Sequence, residues 1–265
     1  MQDLSFFTTG DGVAIAYRID GDARLPVLVL SNSIGTTLHM WDGQIPALSR
    51  HFRVLRYDTR GHGASGVPAG AYSMDRLGRD VIELLDGLDI PRAHFLGLSL
   101  GGFIGQWLGV HAPDRIDRLI LANTSAYLGP APQWDARIAA TLQAPDMTET
   151  AAMFLGNWFP APMLQAGGPV IDAFRAGLMA TDKHGLAGAF AAVRDVDLRR
   201  TIALITAPTL VISGRDDTVT AASHGAAIAA TVPGAQPLEL PAVPLTNIEQ
   251  PEAFMDAVLR FLLPR

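Results

Sequence analysis

A serine flanked by glycines lies between a strand-like run and a helix-like stretch. The segment Gly97-Leu98-Ser99-Leu100-Gly101 has the spacing G-x-S-x-G. A strand-to-helix turn this tight leaves room only for glycine two residues before and after the serine, and it exposes the hydroxyl. The pattern predicts that Ser99 is a nucleophile and that the backbone N–H of Leu100 donates to an oxyanion. A glycine-rich packing turn is the alternative interpretation.

Two further polar segments follow predicted strands. The loop from Leu30 to Thr36 comes after a buried strand, and the amide of Ile34 is the expected second oxyanion donor. A plain strand-to-helix turn is the alternative there. Past a later strand, Asp217 is the first choice and Asp216 the second choice for an acid that follows the serine along the chain. An Asx turn that caps the next helix is the competing interpretation for either aspartate.

A Ser-His-Asp unit needs an imidazole as general base, in the loop after the last strand. That loop, residues 240–249, contains no histidine, and no histidine follows His224 in the chain. His224 at the start of a predicted helix and His62 in an earlier loop are the histidines that could approach a pocket. Isolated histidines of this kind are more often hydrogen-bonded loop or surface residues, so we do not expect either to be the base.

Strand-like and helix-like runs alternate along most of the chain. Such alternation predicts an α/β fold in which a mostly parallel central sheet has helices on both faces. The predicted strands are 13–18, 27–30, 54–57, 95–98, 119–122, 209–212 and 238–240, and the predicted helices between them are 41–48, 74–88, 101–111, 221–230 and 251–263.

Residues 127–200 interrupt this alternation. They contain no convincing strand, while four stretches (134–142, 148–158, 169–179 and 186–193) have helical spacing of apolar residues. We therefore expect residues 1–126 and 201–265 to form the core, and residues 127–200 to form a helical cap over the carboxyl edge of the sheet. Trp134 and Trp158 are then expected to face inward.

Composition narrows the function classes. The chain has 265 residues, 49% of them hydrophobic and 17% charged, with a net charge of −6 and no cysteine. The absence of a basic face disfavours nucleic acid and anionic membranes as partners. No thiolate nucleophile or thiolate metal site is available. There is no G-x-G-x-x-G after the first buried strand and no Walker pattern. We therefore expect a small-molecule substrate, no cofactor and no metal; the residues give no oligomeric state.

Four motifs together resemble a known family. They are the segment around Ser99, the stretch 56–65, the opening 30–36 with Trp41, and the closing 245–251. They resemble the α/β-hydrolase superfamily and, within it, the 3-oxoadipate enol-lactonases, from about Gly12 to Leu262. The Ser-Asn-Ser opening and the Leu-Thr-Asn-Ile-Glu closing are more typical of that subfamily than the serine motif, which the whole superfamily shares.

The resemblance implies a cytoplasmic, cofactor-free serine hydrolase of aromatic-compound catabolism, which opens an enol-lactone ring in the β-ketoadipate pathway. By position, Ser99 matches the nucleophile and Asp217 the triad acid, and the amides of Ile34 and Leu100 match the oxyanion hole. The helical stretch from Tyr127 matches the family's cap. Trp134 and Trp158 are expected there as walls of the substrate pocket.

One departure from the family concerns the base. The resemblance places the family's catalytic histidine at Pro244, and proline has neither an ionisable group nor an N–H. The first hypothesis is an altered lactonase whose hydrolysis is impaired. The second is a homologue repurposed for ligand binding or a non-hydrolytic activity that uses Ser99 and the oxyanion hole. Recruitment of His224 or His62 is the third.

The expected ligand is a small ester or lactone, and a ligand that also carries a carboxylate is one alternative. A carboxylate calls for a cation beside the pocket. The candidate cations in the predicted cap are Arg137, Arg175 and Arg194.

Overall fold

A computed structural model describes residues 4–263. Across these residues the chain forms one eight-stranded sheet in the order β1-β2-β4-β3-β5-β6-β7-β8. The pairs β1/β2 and β2/β4 are antiparallel, and the other neighbouring pairs are parallel. The strands are β1 Ser5–Thr8, β2 Ala14–Asp20, β3 Val27–Ser31, β4 Arg53–Tyr57, β5 Ala93–Leu98, β6 Ile116–Ala122, β7 Thr209–Gly214 and β8 Gln236–Leu240.

The central strands are buried on both faces. Every residue of β7 is buried, as are all but the first residue of β3 and all but the second of β5. Because successive side chains of a strand point to opposite faces, continuous burial requires cover on both sides of the sheet. The predicted mostly parallel α/β sheet is confirmed.

Helices occupy most of the connections. The amphipathic helix α2 begins after Ser73, whose hydroxyl accepts from the N–H of Arg76. The helices are α1 Ile45–Leu48, α2 Met74–Gly87, α3 Leu100–His111, α4 Ala131–Gln143, α5 Thr148–Trp158, α6 Ala161–Ala166, α7 Pro169–Met179, α8 Lys183–Asp195, α9 Ala222–Thr231, α10 Thr246–Glu249 and α11 Pro251–Leu262.

Some elements differ from the sequence-based prediction. The predicted helix 41–48 is wrong in its first half: a short 3-10 turn, Leu38–Trp41, comes first, and α1 is a single turn with Pro46 as its second residue. Strand β1 was not predicted, because none of its residues is buried and it shows no apolar alternation. The short helices α6 and α10 were also not predicted.

The long connection between β6 and β7 contains five helices and, within the described part of the chain, no strand. Helix α4 packs against α8, and α5 packs against α6 and α7. These helices bury the aromatic side chains of Trp134, Phe154, Trp158 and Phe190. The connection is therefore a packed helical unit with its own apolar contacts.

Strand register brings the polar loops to one edge of the sheet. Ser31 pairs with Gly97, Leu98 with Ala122, and Ala122 with Ile212. Because these strands are parallel, the loops that follow them leave from the same carboxyl edge. The segments after β3, β5, β6 and β7 are thereby neighbours.

Candidate active site

Ser99 lies at the turn between β5 and α3 in a strained backbone conformation. Its φ is 56° and its ψ is −111°, a region that non-glycine residues rarely adopt. Its N–H donates to the carbonyl of Ala122 at 2.9 Å, and its carbonyl accepts from the Thr124 hydroxyl at 2.8 Å. A Cβ at Gly101 would overlap the carbonyl of Ser31. The surrounding backbone thus holds the serine in this conformation.

The loop after β3 contains a tight turn, residues 33–36, whose amides are almost all paired. The N–H of Ser33 donates to the Met40 sulfur at 3.3 Å, that of Gly35 to Nε2 of His62 at 2.9 Å, and that of Thr36 to the carbonyl of Ser33 at 3.2 Å. Among residues 4–263, no acceptor lies within hydrogen-bond reach of the Ile34 N–H. This turn therefore presents one free amide.

A second free amide lies at the start of α3. The Leu100 N–H has no acceptor within the described ranges of the chain, whereas the next amide, that of Gly101, donates to the carbonyl of Asn32 at 3.0 Å. Ile34, Leu100 and Ser99 line one cavity. Two unpaired N–H donors near a serine hydroxyl are the groups that can stabilise an oxyanion in acyl transfer.

The cavity lies between the sheet edge and the helices of the long connection. It encloses about 580 Å³, including its opening to solvent. Trp134 and Trp158 are both buried and line it. Its other walls are Ser33, Phe103, Leu128, Arg137, Phe154, Asn157, Phe190, Val193, Val219, Thr220 and Pro244.

Arg137 is the one charged side chain in this lining. Its guanidinium lies over the rings of Trp134 at 5.3 Å and Phe190 at 5.8 Å, and within residues 4–263 it has no carboxylate partner. Burial lowers the pKa of Arg137 from its usual value. Arg175 is exposed, and Arg194 pairs with Asp135 and Asp195. Only one of the three candidate arginines therefore borders the cavity.

Asp217 is buried behind the cavity wall, whereas Asp216 is exposed. Oδ1 of Asp217 accepts from the N–H groups of Val219 at 2.8 Å and Thr220 at 2.7 Å. Oδ2 accepts from the Thr220 hydroxyl at 2.7 Å and from Nδ2 of Asn123 at 3.1 Å. This carboxylate thus makes four hydrogen bonds and fixes the loop after β7.

Neither candidate histidine lines the cavity that contains Ser99. His62 is buried behind the 33–36 turn, where desolvation lowers its pKa to about 4. His224 lies in an adjoining open pocket that shares Trp134, Arg137 and Val219 with the cavity. Pro244 is buried and does line the cavity.

Comparison with protein families identifies the fold. A family model described as the alpha/beta hydrolase fold matches residues 26–243, most of the chain. The chain belongs to the α/β-hydrolase family.

Relatives of this α/β-hydrolase include enol-lactonases. It is 39% identical over 250 residues to 3-oxoadipate enol-lactonase 2 of Acinetobacter baylyi, covering 94% of this chain and 93% of the relative. A crystal structure of the enol-lactonase from Burkholderia xenovorans LB400 matches with a TM-score of 0.94 and 40% identity, covering 97% of this chain and 99% of the other. The resemblance drawn from the sequence motifs is confirmed.

A hydrolase of unstated substrate is also similar. The crystal structure of a hydrolase from Pseudomonas aeruginosa PA01 matches with a TM-score of 0.98 and 67% identity, over 99% of both chains. In the described part of this α/β-hydrolase, no three His, Asp or Glu side chains are grouped to hold a metal ion. None of the helices within residues 4–263 has the length and apolar character needed to cross a membrane.

Sequence reasoning missed the polar residues around Asp217. Asn123 follows β6 and donates to Asp217, and the Thr246 hydroxyl donates to Oδ1 of Asn123. Thr220 lines the cavity and is paired with the same aspartate. Of these residues, the sequence could have indicated only Asn123, because a polar residue directly after a buried parallel strand lies at the carboxyl edge of the sheet.

Proposed function

We propose that this α/β-hydrolase acts on a carboxylic ester or lactone, with Ser99 as the nucleophile. The amides of Ile34 and Leu100 form the oxyanion hole, and Asp217 is the triad acid. The observation that carries the proposal is the strained Ser99 beside two unpaired N–H donors in one cavity. Such donors stabilise the negative charge that develops on a carbonyl oxygen under attack.

The proposed substrate is a small enol-lactone that bears a carboxylate. Arg137 is a partly desolvated cation without a carboxylate partner among the described residues, and a substrate carboxylate would supply that partner. Trp134 and Trp158 form apolar walls beside it. The enol-lactonase relatives act on a 3-oxoadipate lactone by name, and such a compound carries a carboxylate.

Residues 127–200 are proposed to be a cap that closes this cavity. Trp134 and Arg137 on α4, Trp158 on α5 and Phe190 on α8 all contribute to the wall opposite Ser99 and Leu100. The cap would exclude water from the oxyanion hole, and electrostatic stabilisation is stronger where water is excluded.

Hydrolysis is proposed to be slow because the site has no base. When the Ser99 hydroxyl adds to the carbonyl, its proton needs an acceptor, and the leaving oxygen needs a proton in return. The water that later cleaves the acyl-enzyme must also lose a proton. Pro244 performs none of these transfers. Loss of the base from such a unit costs up to about a millionfold in turnover, whereas oxyanion hole and binding retain about a thousandfold over water.

A second candidate function is ligand binding, or a non-hydrolytic activity, at the same site. It is favoured by the state of Asp217, whose two oxygens are already occupied by four donors from the protein. Without a base, the two free amides would still hold a carbonyl oxygen while Arg137 holds a carboxylate.

The deciding experiment compares the native chain with Pro244→His on an enol-lactone and on simple aryl esters. We expect kcat to rise by about three or more powers of ten with little change in KM, since a general base acts in the transition state. Ser99→Ala in each background gives the baseline. Rapid Ser99-dependent turnover by the native chain, with no gain from the substitution, would show that another residue is the base.

A further inference from the structure

His62 is a buried imidazole whose two nitrogens both face backbone groups. Nε2 accepts from the Gly35 N–H at 2.9 Å, and Nδ1 lies 3.2 Å from the carbonyl of Arg60. A carbonyl only accepts, so Nδ1 carries the proton and Nε2 carries the lone pair. The residue is 2% exposed. The ring thus offers one acceptor, and the 33–36 turn uses it.

The conformation of this turn depends on the acceptor. The carbonyl of Ser33 accepts from the Thr36 N–H, φ at Gly35 is +76°, and Ile34 is not among the positive-φ residues, which together define a type II turn. Types I and II differ in the orientation of the central peptide, here Ile34–Gly35. The bond to Nε2 of His62 holds that peptide in the type II orientation.

Among residues 4–263, the Gly35 N–H donates to His62 alone. The nearest side-chain atoms, measured from a Cβ placed at Gly35, belong to Leu178, Phe154 and Trp158, at 3.3 to 3.5 Å. These side chains are apolar at the points of contact and accept no hydrogen bond. Without His62 the Gly35 N–H would be buried and unpaired, which favours rotation of its peptide toward another acceptor.

The neighbouring peptide carries the proposed oxyanion donor. The carbonyl of Ser33 accepts from both the N–H and the hydroxyl of Thr36, at 3.2 and 2.7 Å. Because a peptide is planar and trans, fixing this carbonyl directs the Ile34 N–H to the opposite side. The two consecutive peptides share the Ile34 Cα, so rotation of the second disturbs the first.

We propose that His62 is a positioning residue, whose neutral imidazole holds the 33–36 turn so that the Ile34 N–H is presented to the substrate carbonyl. The proposal rests on the proposed function of Ser99. It assigns the histidine of the Arg-Gly-His-Gly segment a role in the oxyanion hole rather than in proton transfer.

Three variants test the role. His62→Gln keeps an acceptor oxygen close to the position of Nε2, whereas His62→Phe fills the space without one. His94→Phe is the matched control, because His94 is a partly buried histidine near the start of β5, at the far end of the strand from Ser99. Each is made in the native chain and in the Pro244→His background.

The first measurement is amide hydrogen exchange in the native background. We expect Gly35 to exchange at least about tenfold faster in His62→Phe, with Gly101 unchanged, and we expect native rates in His62→Gln and His94→Phe. Gly101 serves as internal reference because its N–H donates to Asn32, outside the turn. Unchanged exchange at Gly35, or equal acceleration at both glycines, would overturn the proposal.

The second measurement is kinetic and uses the Pro244→His background. We expect His62→Phe to lower kcat by about 10- to 100-fold with KM within about twofold, and His62→Gln to recover most of the loss, because an oxyanion donor acts on the transition state. Unchanged kcat in His62→Phe, or an equal rise in KM, would overturn the positioning role. An inactive Pro244→His chain would instead overturn the proposed function. In that case the exchange rates would test only whether His62 holds the Gly35 N–H.

Discussion

The two sides of the candidate site differ in how their polar groups are used. On the β3 and β5 side, the backbone pairs its neighbours and leaves the amides of Ile34 and Leu100 free beside Ser99. On the β7 and β8 side, protein groups donate hydrogen bonds to both carboxylate oxygens of Asp217, and Pro244 forms part of the cavity wall. In the described part of the chain, one side thus has two N–H donors without a partner, whereas on the other side the carboxylate of Asp217 is already fully engaged by protein donors.

The two sides of the proposed triad site are therefore held by separate sets of contacts. The turn at Ser99 and the 33–36 turn depend on close backbone packing after β3 and β5 and on the bond to His62, and among residues 4–263 Pro244 makes no hydrogen bond to either turn. Asp217, the proposed acid, is held by its own loop and by Asn123. In the proposed site, the base can therefore be absent while Ser99, the two amides and Asp217 keep their geometry.

The largest expected effect concerns backbone packing at the β5 side. Gly101→Ala should lower the free energy of unfolding by about 3 kcal/mol or more, because the new Cβ would overlap the Ser31 carbonyl. Gly156→Ala on α5 is the control: nothing lies within 4 Å of its added Cβ, and we expect a gain of about 0.5 to 1 kcal/mol. Denaturant unfolding measures both. Equal stability of the two variants would contradict the close approach.

A pH effect tests the state of His62. Burial lowers its folded-state pKa to about 4, below the value of 6.5 expected when unfolded. The unfolded chain therefore binds more protons between these values, so stability falls as pH drops from about 6.5 toward about 4, by up to about 3 kcal/mol. The measurement is the free energy of unfolding of the native chain minus that of His62→Gln, determined at several pH values. A difference that is constant with pH would mean that His62 is not held neutral.

Ligand affinity tests the proposed role of Arg137. Arg137→Gln should weaken binding of 3-oxoadipate by about tenfold or more. The reason is that the partly desolvated guanidinium would no longer form a charge-assisted hydrogen bond with the ligand carboxylate. Arg175→Gln, at an exposed position of α7, should change the affinity by less than about twofold. Isothermal calorimetry on the native chain gives both values. Similar losses in both variants would remove Arg137 as the specific partner.

A smaller effect is expected at Thr220. Its hydroxyl donates to Oδ2 of Asp217, and in the proposed triad an imidazole introduced at position 244 would compete for the same carboxylate. In the Pro244→His background, Thr220→Val should therefore raise kcat by a few-fold, provided the loop keeps its two backbone bonds to Oδ1. Steady-state kinetics on an aryl ester measures the change. A decrease would indicate that the Thr220 hydroxyl supports the acid instead of competing with the base.

The sequence predicts the architecture better than the site. Continuous apolar runs fixed the bounds of the buried strands to within a few residues, because burial on both faces leaves a strong pattern. Strand β1 was not predicted, because an exposed edge strand leaves no apolar pattern in the sequence. Helix α1 was misplaced, because a single turn that contains proline leaves no helical pattern.

Contacts between distant segments are beyond local patterns. The bond between His62 and Gly35 joins residues 27 positions apart, and Asn123 meets Asp217 across 94 positions. Nor does local sequence distinguish the buried Asp217 from the exposed Asp216, or Arg137 from the other two arginines. These choices depend on which side chains the tertiary packing turns inward.

The rate of covalent labelling of Ser99 by a fluorophosphonate reports the reactivity of its hydroxyl directly, because no later hydrolysis or product release contributes to that rate. Mass spectrometry of the native chain, Pro244→His and Ser99→Ala under identical conditions gives the three rates. We predict very slow labelling of the native chain, labelling faster by about three or more powers of ten in Pro244→His, and none at this site in Ser99→Ala. Fast labelling of Ser99 in the native chain, unchanged by Pro244→His, would contradict this prediction.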